Sequence, residues 1–268
     1  MPVARLRSVI PALVGTFIKS KAEYPGAMVL GWASQFASYG AMYTAIALIL
    51  SRFGSLGGWV WPEMALLLSF HLLAYSLGAS LSFVQFREME EKVRMGTMDA
   101  ILVKPIGPWT YIVFSGLNIG YFGHIVLAVG LMAWALFNVD MAWSIHIAVF
   151  FALALASAAA IVAALMTMIG ATALVWVKSN HLYQLFFGFW ELARYPLQIF
   201  PLPLQVLMLT FAPMAFVAYV PVAVMLGKPV PLLGDLAATA ALLAGPLLVL
   251  IAMAHWRYAL SRYQGAGG

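Results

Sequence analysis

Five stretches of this chain carry no Asp, Glu, Lys or Arg, and each is long enough to cross a bilayer as a helix. A hydrocarbon core of about 30 Å needs roughly 20 apolar residues in helical form. The runs fall at about 26–50, 64–86, 109–137, 143–177 and 236–256. In lipid every backbone polar group must be satisfied within the fold, so runs of this length predict helices and little else. Composition agrees: 64% of residues are apolar and 9% are charged, against roughly 45–50% and about 25% in soluble domains.

Charge placement predicts sidedness. Arg5, Arg7, Lys19 and Lys21 precede the first run; Arg87, Lys92, Arg94 and Lys104 follow the second; Lys178 follows the fourth; Arg257 and Arg262 follow the last. Eleven of the fourteen basic residues then share one side, and basic loops stay in the cytoplasm. The net charge of +5 is thereby read as membrane orientation, and no nucleic-acid partner is expected. With no cysteine in the chain, disulfides and thiolate metal sites are excluded. The N-terminus lacks the uninterrupted apolar core and cleavage site of a signal peptide. Residues 1–24 instead predict an amphipathic helix lying on the membrane. Val3, Leu6, Ile10, Leu13, Val14 and Phe17 form one face and Arg5, Ser8, Thr16 and Lys19 the other. A plain orientation signal is the alternative.

Residues 181–228 break the pattern with Pro196, Pro201, Pro203, Pro213 and Pro221. One straight helix does not accommodate five prolines. The expectation is a fifth span at about 181–199, then a re-entrant hairpin over 201–227 entering from outside, then the last span. A single kinked span near 204–226, with 181–200 on the cytoplasmic surface, is the competing arrangement. The predicted fold is thus an all-α integral membrane domain over 25–268, with six transmembrane helices and both termini cytoplasmic.

Intramembrane charge is sparse, and charge there is retained for work. Glu191 and Arg194 are three residues apart and can pair on one helical face. His71, His124 and His146 read as isolated imidazoles hydrogen-bonded at helix contacts; no HExxH or carboxylate cluster suggests a metal. Neither a GxSxG elbow nor a Walker A loop is present. The chain is therefore read as neither an enzyme nor an ATP binder, which favours transport driven by a partner. A stand-alone secondary carrier using Glu191 is the alternative.

The loop after the second run is shaped. Glu88 with Lys92 and Glu90 with Arg94 are i,i+4 pairs, Gly96 supplies a helix stop, and Thr97 can cap a second short helix with Asp99 in its first turn. Lys104 and Pro105 end it. The stretch EEKVRMGTMDAILVKPIGP, residues 90–108, resembles the loop of ABC type-2 permeases, of the form E…R-x-G-T-hydrophobic-D/E-x-x-L-x-x-P. YPLQIFP (195–201), FAPMAFVAYVPVAVMLGK (211–228) and the terminal RYQGAGG resemble further segments of one branch of that family.

The resemblance implies a permease half-transporter in the plasma membrane, the inner one of a bacterium. It implies a second permease, identical or paralogous, and two ABC ATPase subunits beneath, which bind the ATP and Mg; no cofactor is expected in this chain. It makes the loop over 87–108 a cytoplasmic coupling helix. Glu90, Glu91, Arg94, Gly96, Thr97 and Asp99 are then ATPase-docking candidates, with Lys104 and Pro105 closing the loop. It maps a re-entrant hairpin onto 201–227, and it implies export. The first, second and fifth spans would line the path. Phe36, Tyr39, Tyr43, Phe187, Trp190, Glu191 and Arg194 are the substrate-path candidates. Such aromatic linings suit apolar or amphiphilic molecules.

Overall fold

The computed structural model describes residues 25–265 except Leu117 and Ala142, together with Pro11 and Gly15. The interfacial helix expected over 1–24 lies, but for those two residues, outside the described part. Secondary structure among the described residues is helical, apart from one isolated bridge between Leu56 and Trp59.

Among the described residues from Pro25 onward, twelve α-helices follow in order: α1 (Pro25–Phe53), α2 (Trp61–Ser80), α3 (Phe83–Arg87), α4 (Met89–Arg94), α5 (Thr97–Leu102), α6 (Pro108–Ser115), α7 (Phe122–Asn138), α8 (Ile145–Trp176), α9 (Asn180–Leu192), α10 (Leu202–Leu209), α11 (Tyr219–Met225) and α12 (Ala237–Arg262). Three are long and apolar enough to cross a membrane: α2, α8, and α12 with its leading turn from Gly234. This is an all-α membrane protein. α1 has the length, but Gly31, Ser34, Gln35, Ser38 and Gly40 dilute its apolar character.

α2 sits at the centre. It starts on Trp61–Pro62, with the Glu63 carboxylate accepting the Val60 amide at 3.0 Å. Proline suits a first turn because its missing N–H has no helical partner there. Buried side chains surround it on all faces from Met64 to Ala79, packed by α7 and α8. α8 in turn packs closely along α12. There Gly245 leaves so little room that an added Cβ would stand 2.2 Å from the Ser157 carbonyl oxygen. Pro246 removes the next rung of the α12 ladder. The Ser157 hydroxyl spans the gap, accepting the Gly245 amide at 3.0 Å and donating to the Ala241 carbonyl at 2.7 Å.

Three runs read as single spans come out divided, the run at 64–86 at Leu81–Ser82 between α2 and α3. The run at 109–137 breaks between α6 and α7. The Gln85 amide donates to the Gly116 carbonyl at 2.6 Å, the Asn118 amide donates to the Ser80 carbonyl at 2.9 Å, and Asn118 Oδ1 accepts the Gly120 amide at 2.8 Å. These contacts outbid the helical ladder. The segment 181–199 yields only α9, 13 residues or about 20 Å, before Ala193–Pro196 turns into a short 3-10 helix at Leu197–Ile199.

α10 and α11 form a hairpin whose two feet meet one loop. Gln198 donates to the Gly57 carbonyl at 2.9 Å; Lys228 pairs with Glu63 at 3.0 Å and donates to the Gly58 carbonyl at 3.1 Å. Trp59, fully buried, lies between the Lys228 ammonium and the Tyr219 ring. The hairpin tip at Phe211–Met214 reaches Thr172, Leu182 and His255, far from that loop. The Leu56–Glu63 end of the bundle is termed the upper end; the opposite, lower end carries α3–α5, Ser179 and Tyr263.

Candidate functional site

The lower corner is built by interrupting a helix and refolding the chain beneath it. The Ser82 hydroxyl donates to the Gly78 carbonyl at 2.7 Å where α2 stops. α3 then drives Phe86 against Gly170 of α8 and the Trp256 ring of α12. Met89 and Val93 of α4, and Met98 and Ile101 of α5, bury themselves in the same second core with Ile112, Ala171, Leu174 and Ala259. Between α4 and α5 stands Gly96 at φ 69°, a left-handed conformation that side-chain-bearing residues resist by roughly 1–2 kcal/mol. The corner is therefore a rigid protrusion seated on α8 and α12.

Its polar residues divide by direction. Lys92 pairs with Glu88 at 2.5 Å, as the spacing predicts. Glu90 does not take Arg94; its Oε2 accepts the backbone amides of Ser179 at 2.8 Å and Asn180 at 2.9 Å. Those amides, Asn180 first, hold its carboxyl below the ordinary glutamate range against partial burial, and Arg94 and Lys178 add to the effect. Because the folded-state pKa is depressed, the contact is complete above the unfolded value and lost only as pH falls through the depressed one. Asp99 also points inward, its Oδ1 accepting the Tyr263 hydroxyl at 2.9 Å. Burial, and then that bond to Asp99, push the Tyr263 phenol up to about 12, so it stays a donor at neutral pH. Tyr263→Phe is expected to cost about 1 kcal/mol and to loosen the end of α12 from α5. Hydrogen exchange of the amides around Tyr263 should quicken several-fold, and an unchanged rate would refute the tie.

Thr97 does not cap α5. Gly96 occupies the cap position, and the threonine hydroxyl turns back to the Lys92 carbonyl at 3.2 Å. Lys104 lays its ammonium 4.7 Å from the Tyr111 ring centre. Glu91, Arg94 and Pro105 are exposed. Behind the corner a cavity of about 560 Å³ opens between Gln85, Lys92, Lys104, Tyr111 and Asn118.

Above the corner, α1, α2, α7 and α9 meet in a buried aromatic cluster. The His71 and Trp190 rings stack with centres 3.4 Å apart, and Tyr75 lies 4.4 Å from Trp190. Tyr39 stands edge-on to His124 at 4.7 Å and to Tyr43 at 6.0 Å. Tyr75 and Tyr121 share a hydroxyl contact of 3.3 Å. Arg194, buried, pairs with the exposed Glu191 carboxylate and touches the Met42 sulfur. Five of the path candidates, Tyr39, Tyr43, Trp190, Glu191 and Arg194, thus come together. Phe187 lies lower, against Phe83, and Phe36 is exposed.

His71 and His124 are not isolated, as their scattered positions suggest; the cluster joins them. Both His124 nitrogens are buried without a hydrogen-bond partner among the described residues, and the rings of Tyr39, Tyr75 and Tyr121 pack around the imidazole. Tyr75 and Tyr121 escape a search for charge. Their spacing gives them away: Tyr75 follows His71 by four residues and His124 follows Tyr121 by three, each pair on one helical face. Among the described residues no group of three or more His, Cys, Asp or Glu is placed to hold a metal. A second cavity, about 290 Å³ and mostly apolar, lies between Met168, Phe186, Phe189, Phe211 and Met214, with the Thr172–His255 contact of 3.3 Å at one side.

Comparison with known proteins adds one match. A family model described as "ABC-2 family transporter protein" fits residues 36–267, which include the corner, the cluster and the hairpin. No curated protein and no solved structure matches the chain.

Proposed function

We infer that this chain, which belongs to the ABC-2 transporter family, is the permease subunit of an ATP-driven exporter for an apolar or amphiphilic substrate. Two ATPase subunits, carrying ATP and Mg, dock beneath a pair of permeases, and the chain itself conducts without catalysing. The observation that carries this reading is the corner. It is anchored in a buried core, turned by a left-handed glycine, and presents Glu91, Arg94 and Pro105 outward. A solvated loop needs none of that; a force-bearing contact needs all of it.

Six crossings of the inner membrane, with cytoplasmic termini, accord with the contacts at the two ends. Gly57, Glu63, Gln198 and Lys228 share the upper end, where Trp61 also meets Trp134 near the end of α7. Glu90, Ser179, Asp99 and Tyr263 share the lower end. In this arrangement α6 and α7 make one broken crossing, α9 with its following turn makes the fifth, and α10–α11 re-enter from outside. The aromatic cluster between α1, α2 and α9 supplies the path, and the apolar cavity beside the hairpin tip favours substrates of low polarity.

Capture of the tagged chain from gently solubilised membranes, followed by mass spectrometry, tests the assignment. An ATP-binding subunit should accompany it. Arg94→Glu is expected to reduce that recovery at least tenfold, because a reversed charge in a protein contact costs several kcal/mol. Recovery of the chain without any ATPase would remove the reading, and loss of transport in Glu191→Gln with no ATPase present would favour a secondary carrier.

A further inference from the structure

We propose that Glu90 is a positioning residue which passes movement of the corner to α9, and is not a contact for the ATPase. The inference rests on the transporter reading above and deepens it. A single carboxylate oxygen accepts the first two amides that matter to α9, those of Ser179 and Asn180. The two partners lie about ninety residues apart in sequence, so the contact joins elements that chain connectivity leaves independent.

α9 has no cap of its own. Ser179 occupies the cap position but makes no side-chain cap bond, and its buried hydroxyl has no partner. The turn that delivers it is tight: Val177 stands at φ 60° and the Lys178 amide bonds back to the Trp176 carbonyl at 2.6 Å. The free amides at a helix start carry partial positive charge, and an anion placed there binds them favourably. Charge-assisted bonds of this kind are roughly twice as strong as neutral ones. Glu90 therefore caps α9 from another element.

The direction of the contact sets its consequence. α4 is held to the second core by Met89 and Val93, so its push is carried by a rigid body. α9 is lightly packed by comparison, with Gln184, Leu185, Gly188 and Glu191 exposed along its length. It bears Trp190 and Glu191 and leads directly to Arg194. Displacement of α4 along the bundle thus moves the base of α9, and with it one wall of the aromatic cluster. Arg94 and Glu91, on the same short helix but exposed, are left for the ATPase.

The full transporter, in nanodiscs with its ATPase, separates the possibilities. Glu90→Ala is expected to retain its ATPase subunits, to lose at least tenfold in transport per ATP hydrolysed, and to speed hydrogen exchange of the 179 and 180 amides several-fold. Glu90→Gln keeps an acceptor oxygen and should recover part of both. Glu91→Ala should behave in the opposite way, shedding the ATPase while those amides stay protected. Release of the ATPase by Glu90→Ala would make Glu90 a docking residue and overturn the inference while leaving the transporter reading intact. Unchanged transport per ATP, or amides still protected, would overturn it as well. A wild-type chain with no ATPase to retain would instead sink the transporter reading and the transmission role together.

Discussion

Replacing Gly96 with proline is expected to abolish ATPase association and transport together, while the chain still inserts and accumulates. The residue sits at φ 69°, and proline is locked near −65°. The amide that proline lacks is in use, donating to the Val93 carbonyl at 3.1 Å. The chain must therefore leave α4 in another direction, taking α5 off its seat of Met98 and Ile101. Gly96→Ala supplies the graded control, since alanine pays only about 1–2 kcal/mol in that conformation and should leave a partly coupled transporter. The pair is read by ATPase recovery and by transport in vesicles. Equal behaviour of the two variants, or full coupling in the proline variant, would show that the turn at Gly96 is not what presents the corner.

A second large effect is expected at the crossing of α8 and α12. Gly245→Val places a branched side chain where even a Cβ would stand 2.2 Å from the Ser157 carbonyl and 2.7 Å from its Cα. Backbone, unlike a flexible side chain, cannot step aside. Overpacking usually costs about 1–3 kcal/mol, and a backbone-on-backbone clash belongs at the upper end or beyond. The expected outcome is loss of folded protein from the membrane, measured by detergent-resistant monodisperse recovery. Ser157→Ala should be milder: it leaves the Gly245 amide and the Ala241 carbonyl without the hydroxyl that spans them, at about 1–3 kcal/mol. Full recovery of Gly245→Val would mean that the two helices do not cross this closely.

The sequence discloses helices where apolar runs are long and unbroken. Run 143–177 became α8 and run 236–256 became most of α12 almost without adjustment, the Ser157 hydroxyl bridging Gly245 and Ala241 of α12 without ending the helix. It fails where the interruption is uncharged. Gly116 and Asn118 divide α6 from α7 using hydrogen bonds to Gln85 and Ser80, and hydropathy does not register such contacts. The corner was legible through Gly96 and through the Glu88–Lys92 pair, which are local. The destinations of Glu90 and Asp99 were not, since their partners lie 89 to 164 residues away and helical spacing offered Glu90 a nearer choice in Arg94. Pairing of Glu191 with Arg194 is local and follows from spacing; the approach of His71, Tyr75, Tyr121 and His124 depends on how four helices assemble.

The clasp at the upper end also has a history in time. Gly57 waits 141 residues for Gln198, and Gly58 waits 170 for Lys228. At roughly 5–20 residues per second of synthesis, that interval is on the order of ten seconds or more. Throughout it Trp59 lacks the Tyr219 and Lys228 contacts that cover it, and Glu63 lacks its cation. The first helical pair is thus inserted with an open seat, which only the returning arm of the hairpin fills. A nascent chain halted after α8 would therefore lack the two contacts, Tyr219 and Lys228, that close over Trp59 in the finished molecule.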